Sequence, residues 1–379
     1  MRFAALASAM VFSVGAACFP AMSQDAAKDA KNAALQREQH RERINDNVIF
    51  LMGGQLGGGY LKLAHDVSVA IQDEQNLRVL PVVGGAAVQN IRDLLFLKGM
   101  DLALTTVQAL NLLKDSSEIG ASTLGNEIAY VAALFPDEMH VVVRKEVNSL
   151  RELSGQKVSF NNAGSQTAML SLKIFDALGI SVQAVNMPQD DAIEKIKTGE
   201  LAASVCICPK PISALPGIPA TAGLKLIGVE YVPALQEGYL PAELTSEDYA
   251  NLIPKGETVQ TVATQTILVT YNWPKNSRRY RKVEKFVEAF FLKFGELMKP
   301  PRNPVWKTVN LAATVKGWPR FPAAQEMVDK LLVRPVSDSS GGNEQIRAVL
   351  ARVAPNDTEK QNRLYQEFQT WRDQQARSR

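Results

Sequence analysis

Short apolar runs alternate with amphipathic segments along most of the chain. Residues 48–52 are apolar without interruption, as in a buried strand, whereas residues 60–72 carry apolar side chains at helical spacing. The same order of strand, loop, helix, strand, helix and strand is predicted for residues 48–105 and again for residues 157–208. Because strands that alternate with helices favour parallel sheets, the two copies predict two α/β lobes.

Two further β-rich segments, residues 139–144 and 259–271, are predicted to cross between the lobes as hinge strands. Residues 277–298 form a predicted amphipathic helix with its phenylalanines inward. We therefore expect an α/β protein with two lobes, hinge strands and a helical C-terminal extension. The expected boundaries are 1–23 for a signal peptide, 24–46 for a polar linker, 47–139 with 262–300 for lobe one, 140–261 for lobe two, and 301–379 for the extension.

The N-terminal pattern is typical of a secreted chain. A basic residue precedes an uncharged apolar run over residues 3–19, and Ala-Met-Ser at 21–23 resembles a signal-peptidase site. The run is shorter than the roughly 20 apolar residues that a membrane-spanning helix needs. A lipid anchor at Cys18 is not expected, because Gly15 stands where a larger aliphatic residue is usual. These features predict a periplasmic protein.

Composition narrows the classes of function. The formal net charge is only +3, from 42 basic and 39 acidic residues, which argues against nucleic-acid binding. Three cysteines are too few for a disulfide scaffold. Cys206 and Cys208 are either two small side chains of a buried strand or a local disulfide. Since no His or Cys nearby completes a ligand set, neither a metal nor a cofactor is expected.

The candidate chemistry lies in two loops that lead from strands into helices. Residues 53–59 read Gly-Gly-Gln-Leu-Gly-Gly-Gly, and residues 161–165 read Asn-Asn-Ala-Gly-Ser. Free N–H groups and the helix dipole make such helix ends suited to anions. The glycine spacing fits neither a dinucleotide fingerprint nor a P-loop. We expect both helix ends to face one interlobe cleft that binds a small anion or zwitterion; a loop that is merely tight is the alternative.

Several polar groups are expected to reach this cleft. Alternatives stay open for some of them: Thr106 could simply cap a helix, Tyr60 could pack into the core, and Lys210 could meet an anion or only solvent. The groups expected from their position are Gly57, Gly58, Gly59, Tyr60, Thr106, Gln108, Asn162, Ser165 and Thr167.

The histidines His40, His65 and His140 are scattered, and no metalloprotease or nucleophile-elbow motif occurs, so catalysis is not expected.

The ordered set of segments resembles the TAXI solute receptors of tripartite ATP-independent periplasmic (TRAP) transporters, over roughly residues 47–298. The stretches that carry the resemblance are residues 53–60, 90–95, 99–104, 106–108, 140–143, 149–158 and 163–167. The resemblance implies a type II periplasmic-binding-protein fold, ligands such as glutamate or other organic acids, and a membrane partner driven by an ion gradient. It also implies the residues that line the two lobes, namely Gln55, Gly58, Gly59, Tyr60, Thr106 and Gln108 in lobe one and Ser165, Gln166 and Thr167 in lobe two. Gln166 stands where the family usually has Gly, which leaves the substrate open.

The leading hypothesis is a monomeric extracytoplasmic solute-binding protein. It captures a small anionic ligand, an organic acid or acidic amino acid, and delivers it to the integral-membrane subunits of a TRAP transporter. One alternative is the receptor of an ATP-driven importer or a sensor. Another is a bilobal enzyme, which would need a carboxylate in the cleft. Asp190, Asp191 and Glu230 are the nearest candidates, and none lies on a predicted cleft loop.

Overall fold

The computed structural model describes most of the chain after residue 23. The described residues are 24–333 except 57, 74–76, 86, 115–118, 213 and 237, together with 362, 363, 365 and 366. The predicted signal peptide with Cys18 lies outside this set, as does most of the predicted helical C-terminal extension after residue 333. Residues 1–48 and 49–379 form separate units. In the first unit, α1 (Gln24–Asp46) is a 23-residue helix whose side chains from Ala26 to Asn45 are exposed.

The second unit contains the strands and helices of both predicted copies. The strands are β1 (Val48–Met52, which begins at the end of the first unit), β2 (Arg78–Val82), β3 (Leu102–Thr106), β4 (Ile128–Arg144), β5 (Lys157–Ser159), β6 (Gln183–Val185), β7 (Ala203–Cys208), β8 (Leu224–Ile227), β9 (Leu240–Thr245) and β10 (Thr258–Tyr271). The helices are α2 (Gly59–Ile71), α3 (Ala87–Phe96), α4 (Val107–Lys114), α5 (Ala121–Glu127), α6 (Gln166–Ala177), α7 (Gln189–Lys197), α8 (Arg278–Leu292), α9 (Phe294–Leu297) and α10 (Pro322–Val333).

The strands form a ten-stranded sheet in the order β2-β1-β3-β10-β4-β7-β5-β6, with β8 paired to β4 and β9 paired to β10. β1 and β3 are parallel in lobe one, and β5 is parallel to both β6 and β7 in lobe two. The α/β class with two joined halves is therefore confirmed.

Two long antiparallel strands join the halves. β10 pairs with β3 through Thr266–Thr270 and with β9 through Thr258–Ala263. β4 pairs with β10 and, through Glu138–Val143, with β7. The predicted strand at 139–144 was too short, because β4 starts at Ile128. Its hydrophobic pattern is interrupted near Pro136, where the pairing with β10 shifts register, and the interruption resembles a loop in the sequence.

Helices cover both faces of the sheet in each half. α2 and α8 pack on one face of lobe one, and α3 and α4 pack on the other. In lobe two, α6 and α7 lie in two separate apolar clusters. Left-handed glycines follow α6 and α7, with φ of 67° at Gly179 and 82° at Gly199.

α8 is tied to the sheet by a buried ionic cluster. Asp101 is fully buried, and it accepts from Lys282 Nζ at 2.6 Å and Arg279 Nη1 at 3.2 Å. The predicted helix over 277–298 was too long, since α8 ends at Leu292 and the short α9 follows after Lys293. Phe294 of α9 is nevertheless buried, as the helical spacing predicted.

Residues after 300 belong to the packing of lobe one. Trp306 is fully buried, makes an edge-to-face contact with Phe135, and donates from its indole N–H to Asp66 Oδ2 at 3.0 Å. Phe321 and Met327 lie in the same apolar cluster as β1 and α8. Within the described ranges, none of the helices combines the length and the apolar character needed to cross a membrane.

Candidate functional site

Hydrogen bonds from Asn90 and close packing of Gly84 hold the glycine loop after β1 in place. Asn90 of α3 is fully buried and donates to the carbonyl oxygens of Gly53 at 2.5 Å and Leu104 at 2.8 Å. Gly84 lies so close that a Cβ there would stand 2.9 Å from the Gly53 oxygen. Only glycine fits at this position, so the loop is held against two neighbouring segments of lobe one.

The loop ends at the N-terminus of α2. Gly58 is the N-cap residue in extended conformation, and no side chain caps this helix end. Gly59 is exposed, with open space around the position of a Cβ. The free N–H groups of this first turn can therefore receive an anion. Gly57, also predicted to line the cleft, lies outside the described residues.

The second loop ends at the N-terminus of α6 and is capped by a side chain. Ser165 Oγ accepts from the Ala168 N–H at 3.1 Å. Asn161 has a left-handed φ of 60°, and its carboxamide oxygen accepts from the Asn162 N–H at 2.7 Å. Asn162 is half-buried in this turn. The turn thus presents a second helix end at the carboxyl end of β5.

Three of the predicted residues reach across from lobe one to lobe two. Gln55 Nε2 donates to the Ala163 oxygen at 3.4 Å. The Tyr60 hydroxyl lies 3.3 Å from Gln166 Oε1. Gln108 packs so tightly on Gly238 that a Cβ there would stand 1.7 Å from Gln108 Nε2. Both predicted loops therefore meet, and the two halves are in contact.

A buried carboxylate on β4 lies at the centre of these contacts. Asp137 is fully buried, and its Oδ2 accepts from the Tyr60 hydroxyl and from Gln166 Nε2, the latter at 2.8 Å. Thr266 of β10 lies 3.1 Å from the Tyr60 hydroxyl. Asp137 Oδ1 has no partner among the residues that the structure describes. One residue from each half and two from the hinge strands thus form a single polar cluster.

The buried position shifts both acid–base groups of this cluster. Burial raises the pKa of Asp137 to about 7, although the hydrogen bonds from Tyr60, Gln166 and Thr266 pull it down. Burial and the adjacent Asp137 charge hold the pKa of Tyr60 well above its ordinary value. Asp137 is therefore an acid whose protonation changes near neutral pH.

A second buried acid follows immediately on the strand. Glu138 is 3% exposed, and burial raises its pKa to about 7. Its Oε2 accepts from the backbone N–H of Lys210 at 3.2 Å. The Lys210 ammonium is engaged elsewhere, by the Glu243 oxygen at 2.8 Å and Asp248 Oδ2 at 3.0 Å. Lys210 thus has internal partners and is not a free surface cation.

His140 is a buried structural residue. Its Nδ1 lies 2.8 Å from the Glu138 oxygen, and its Nε2 lies 2.9 Å from the Tyr249 hydroxyl. Because that hydroxyl accepts from the Ile212 N–H, its proton is free to be donated to Nε2, which makes Nδ1 the protonated nitrogen. Burial lowers the pKa of His140 to about 4. The ring is neutral and has both nitrogens bonded within the protein.

Two threonines predicted to line the cleft use their hydroxyl groups to accept hydrogen bonds from backbone N–H groups. Thr106 is fully buried, and its Oγ1 accepts from the Ala109 N–H at 3.2 Å, so it caps α4. Thr167 is 4% exposed, and its Oγ1 accepts from the Ile207 N–H of β7 at 3.0 Å. The structure does not bring these two hydroxyls together with the Asp137 cluster.

The carboxylates of the cleft were missed in the sequence. The candidates named there, Asp190, Asp191 and Glu230, are all exposed side chains, whereas Asp137 and Glu138, beside the contact between the halves, are buried. Their only signal was the position of two acids directly before an apolar run that resembled a strand.

Cys206 and Cys208 are joined by a disulfide bond, with their Cα atoms 5.8 Å apart. Of the two forms that the sequence left open, the structure therefore has the local disulfide. Cys206 is 6% exposed and lies 3.8 Å from Asn161 Nδ2, at the second loop. In the described part of the chain, no group of His, Cys, Asp and Glu side chains is placed to hold a metal ion.

A cavity of about 840 Å³ lies elsewhere in lobe two, lined in part by Asn148, Ile180, Lys225 and Asn251. None of the predicted site residues lines it. Three of its polar side chains have partners within the protein, since Lys225 Nζ donates to Asn148 Oδ1 at 2.8 Å and Asn251 Nδ2 donates to the Ile218 oxygen at 2.9 Å. The Asp137 cluster, which unites both halves, is therefore the better candidate site.

Comparison with known proteins gives one family. A sequence profile described as the NMT1-like family matches residues 51–292, from β1 to α8. No curated protein matches the chain significantly.

Two solved structures illustrate what the chain is similar to. One, described as a periplasmic transporter, is 14% identical, covers 75% of this chain and 92% of its own, and has a TM-score of 0.43. The alkanesulfonate-binding protein SsuA from Xanthomonas axonopodis pv. citri, bound to MOPS, is 16% identical over 80% of this chain and 91% of its own, with a TM-score of 0.40.

Proposed function

Because this chain belongs to the NMT1-like family, we propose that it is an extracytoplasmic solute-binding protein with a type II periplasmic-binding-protein fold. It captures a small ligand in the cleft between its halves and delivers it to a membrane transporter. The predicted signal peptide supports a periplasmic location. The resemblance to TAXI receptors supports a TRAP-type secondary transporter as the partner and a monomeric receptor.

One observation carries the proposal. Tyr60 from lobe one and Gln166 from lobe two hydrogen-bond the same hinge residue, Asp137, while Gln55 bridges the two loops. A site assembled only when the two halves meet is what a receptor that closes on its ligand requires. The hinge strands β4 and β10 supply the connection about which the halves can move.

The ligand class follows from the two helix ends. α2 starts without a side-chain cap, and α6 starts beside it across the contact between the halves. Backbone N–H groups and helix dipoles stabilise a negative group without a basic side chain. We infer that the ligand carries a carboxylate, as an organic acid or an acidic amino acid does.

A thermal-shift screen of residues 24–379 against amino acids and organic acids tests the proposal. A ligand at 100 times its Kd should add about 2.7 kcal/mol to the free energy of unfolding. Two serine caps give a matched pair of variants. Ser165 caps α6 at the cleft, and Ser277 caps α8 through the Tyr280 N–H at 3.0 Å.

Each Ser→Ala change should lower stability by about 1 kcal/mol through the lost cap. Only S165A should also weaken binding. Equal ligand binding by S165A and S277A would argue against a cleft at α6. If no ligand raised the melting temperature of the wild-type protein, and denaturation released no bound solute, the protein would not be a receptor.

A second candidate, a bilobal enzyme, is favoured by one observation. Asp137 is a buried carboxyl group in the cleft with a pKa raised to about 7 by burial, which suits a general acid or base. Incubation of each stabilising ligand with stoichiometric protein, followed by mass spectrometry, separates the two. A receptor returns the ligand unchanged, whereas an enzyme yields a product that the D137N variant does not form.

A further inference from the structure

Half of the Asp137 carboxylate has no hydrogen-bond partner in the described residues. Oδ2 accepts from Tyr60 and Gln166, but Oδ1 accepts from none of them. Thr264, its register partner on β10, is also fully buried, and its hydroxyl also lacks a partner among them. Register partners on adjacent strands point to the same face of the sheet. Since buried polar groups in proteins are rarely left unpaired, these two groups on one face of the sheet are suited to bind the same hydrogen-bond donor.

In the part of the chain that the structure describes, no Lys or Arg side chain forms an ion pair with Asp137. The ammonium group of Lys210, whose backbone N–H binds the adjacent Glu138, is itself bonded to Asp248 and the Glu243 backbone. Glu138, the next residue, adds a second buried acid. Asp137, Glu138 and Asp248 are thus three carboxyl groups near one another in the chain's hinge region, and of these the Lys210 ammonium binds only Asp248. Burial raises the pKa of Asp137.

Asp101 shows how the same chain treats a buried aspartate with a structural role. It is as deeply buried as Asp137, yet Lys282 and Arg279 both bind it, and the Phe50 N–H donates to it at 2.9 Å. Asp137 has neither of these cations. The difference fits a group whose counter-charge arrives with a ligand.

We propose that Asp137 binds a protonated nitrogen of the ligand, so that the cleft selects solutes carrying both an ammonium and a carboxylate over simple carboxylates. An ammonium group has three donors, enough for Asp137 Oδ1 and the Thr264 hydroxyl. The carboxylate of the same molecule would then lie at the N-terminus of α2 or α6. This inference rests on the proposed receptor function and adds a residue that sets its specificity.

Pairs of ligands that differ only in the amino group test the idea. Binding of glutamate and glutarate, aspartate and succinate, and leucine and 4-methylpentanoate is measured by calorimetry with residues 24–379. For at least one pair, the amino acid should bind ten- to a hundredfold more tightly. In D137N, that preference should fall below threefold through weaker binding of the amino acid.

E138Q is the matched control, because it removes the neighbouring buried charge that the Lys210 backbone holds. It should keep the preference within threefold of the wild-type value. An equal loss in E138Q would mean that the negative field, and not contact with Asp137, selects the ligand. T264V should weaken binding of the amino acid and leave binding of its deaminated partner unchanged. This variant therefore tests the proposal if D137N fails to fold.

The outcomes separate this inference from the proposed function. Equal or tighter binding of the deaminated partners would overturn the role of Asp137 and leave a carboxylate receptor. Failure of every acid and amino acid to bind would overturn both.

Discussion

Replacing Asp137 with asparagine should make the protein more stable at neutral pH. The amide keeps the shape of the side chain and can still accept from Tyr60, but it has no charge to bury. Burial raises the pKa of Asp137 from 3.8 to about 7. At about 1.4 kcal/mol per pKa unit, ionising Asp137 in the folded protein costs about 4 kcal/mol, an upper value because local relaxation reduces it.

The sign of the pH dependence follows from which state binds more protons. With a raised pKa, folded Asp137 keeps its proton between about pH 4 and 7 while the unfolded chain has lost it, so its contribution is complete at low pH and disappears as pH rises through 7. Glu138 behaves in the same way. His140, with its pKa lowered to about 4, acts oppositely, because the unfolded chain binds the extra proton below about 6.5.

Between pH 4.5 and 6.5 the folded wild-type protein therefore holds a net excess of one proton. Its free energy of unfolding should fall by about 1.4 kcal/mol per pH unit over that window. In D137N, the extra proton on folded Glu138 is offset by the proton missing from folded His140. The free energy of unfolding should therefore change little with pH in this window.

Urea unfolding, followed by tryptophan fluorescence at pH 5, 6, 7 and 8, measures the profile without adding salt. D248N is the control: burial raises the pKa of Asp248, but its bonds to Lys210 and Thr245 more than offset this, so the pKa is lowered. D248N should lose stability and keep the wild-type slope above pH 5. A wild-type stability that rises from pH 5 to 7, or a slope unchanged in D137N, would refute the reasoning.

Three other substitutions probe the framework around the cleft by urea unfolding. D101N leaves the buried ammonium of Lys282 without its 2.6 Å partner and should lower the free energy of unfolding by about 3 kcal/mol. Y249F removes the proton donor to His140 Nε2 at 2.9 Å and should lower it by about 1 to 3 kcal/mol. W306A empties a fully buried site in lobe one and should lower it by about 3 to 5 kcal/mol.

An exposed leucine supplies the common control for these variants. Leu292 is 72% exposed at the end of α8, so L292A should change stability by less than about 0.5 kcal/mol. If W306A were no worse than L292A, the residues after 300 would not belong to the folded core of lobe one. If Y249F or D101N matched L292A, the corresponding buried bond would carry no net stability.

Hydrophobic periodicity was enough to predict the repeated part of the fold. Runs such as residues 48–52 and 203–208 are buried strands, and the helix after each cleft loop starts within a residue of its predicted position. These features depend on neighbours along the chain, which a single sequence displays. Tyr60, named from its place beside the first loop, and Gln166, implied by the resemblance to TAXI receptors, stay predictions as site residues; the structure brings both side chains to Asp137.

What the sequence did not reveal depends on contacts between distant segments. Asp137 follows a proline and precedes another acid, a pattern typical of an exposed turn, and it is buried only because β4 pairs with β10 on one side. Trp306 lies in a proline-rich stretch without periodicity, yet it packs on Phe135 of β4. Both cases require knowledge of which strands meet, and local pattern does not contain it.

A ligand ammonium group and a proton would both act on the Asp137 carboxylate. Binding experiments and pH experiments therefore test the same group. Asp137 lies on the hinge strand β4, and it bonds Tyr60 of lobe one and Gln166 of lobe two. With the halves in contact, the negative charge of Asp137 is buried without a counter-charge. A proton can neutralise this charge at low pH, and a ligand ammonium group can neutralise it at neutral pH. Since ligand binding that favours the ionised form lowers the pKa of Asp137, a bound amino acid should flatten the pH profile of the wild-type protein as D137N does. A simple carboxylate brings no counter-charge to Asp137 and should leave the slope in place, because the carboxyl group would still need its proton to remain buried.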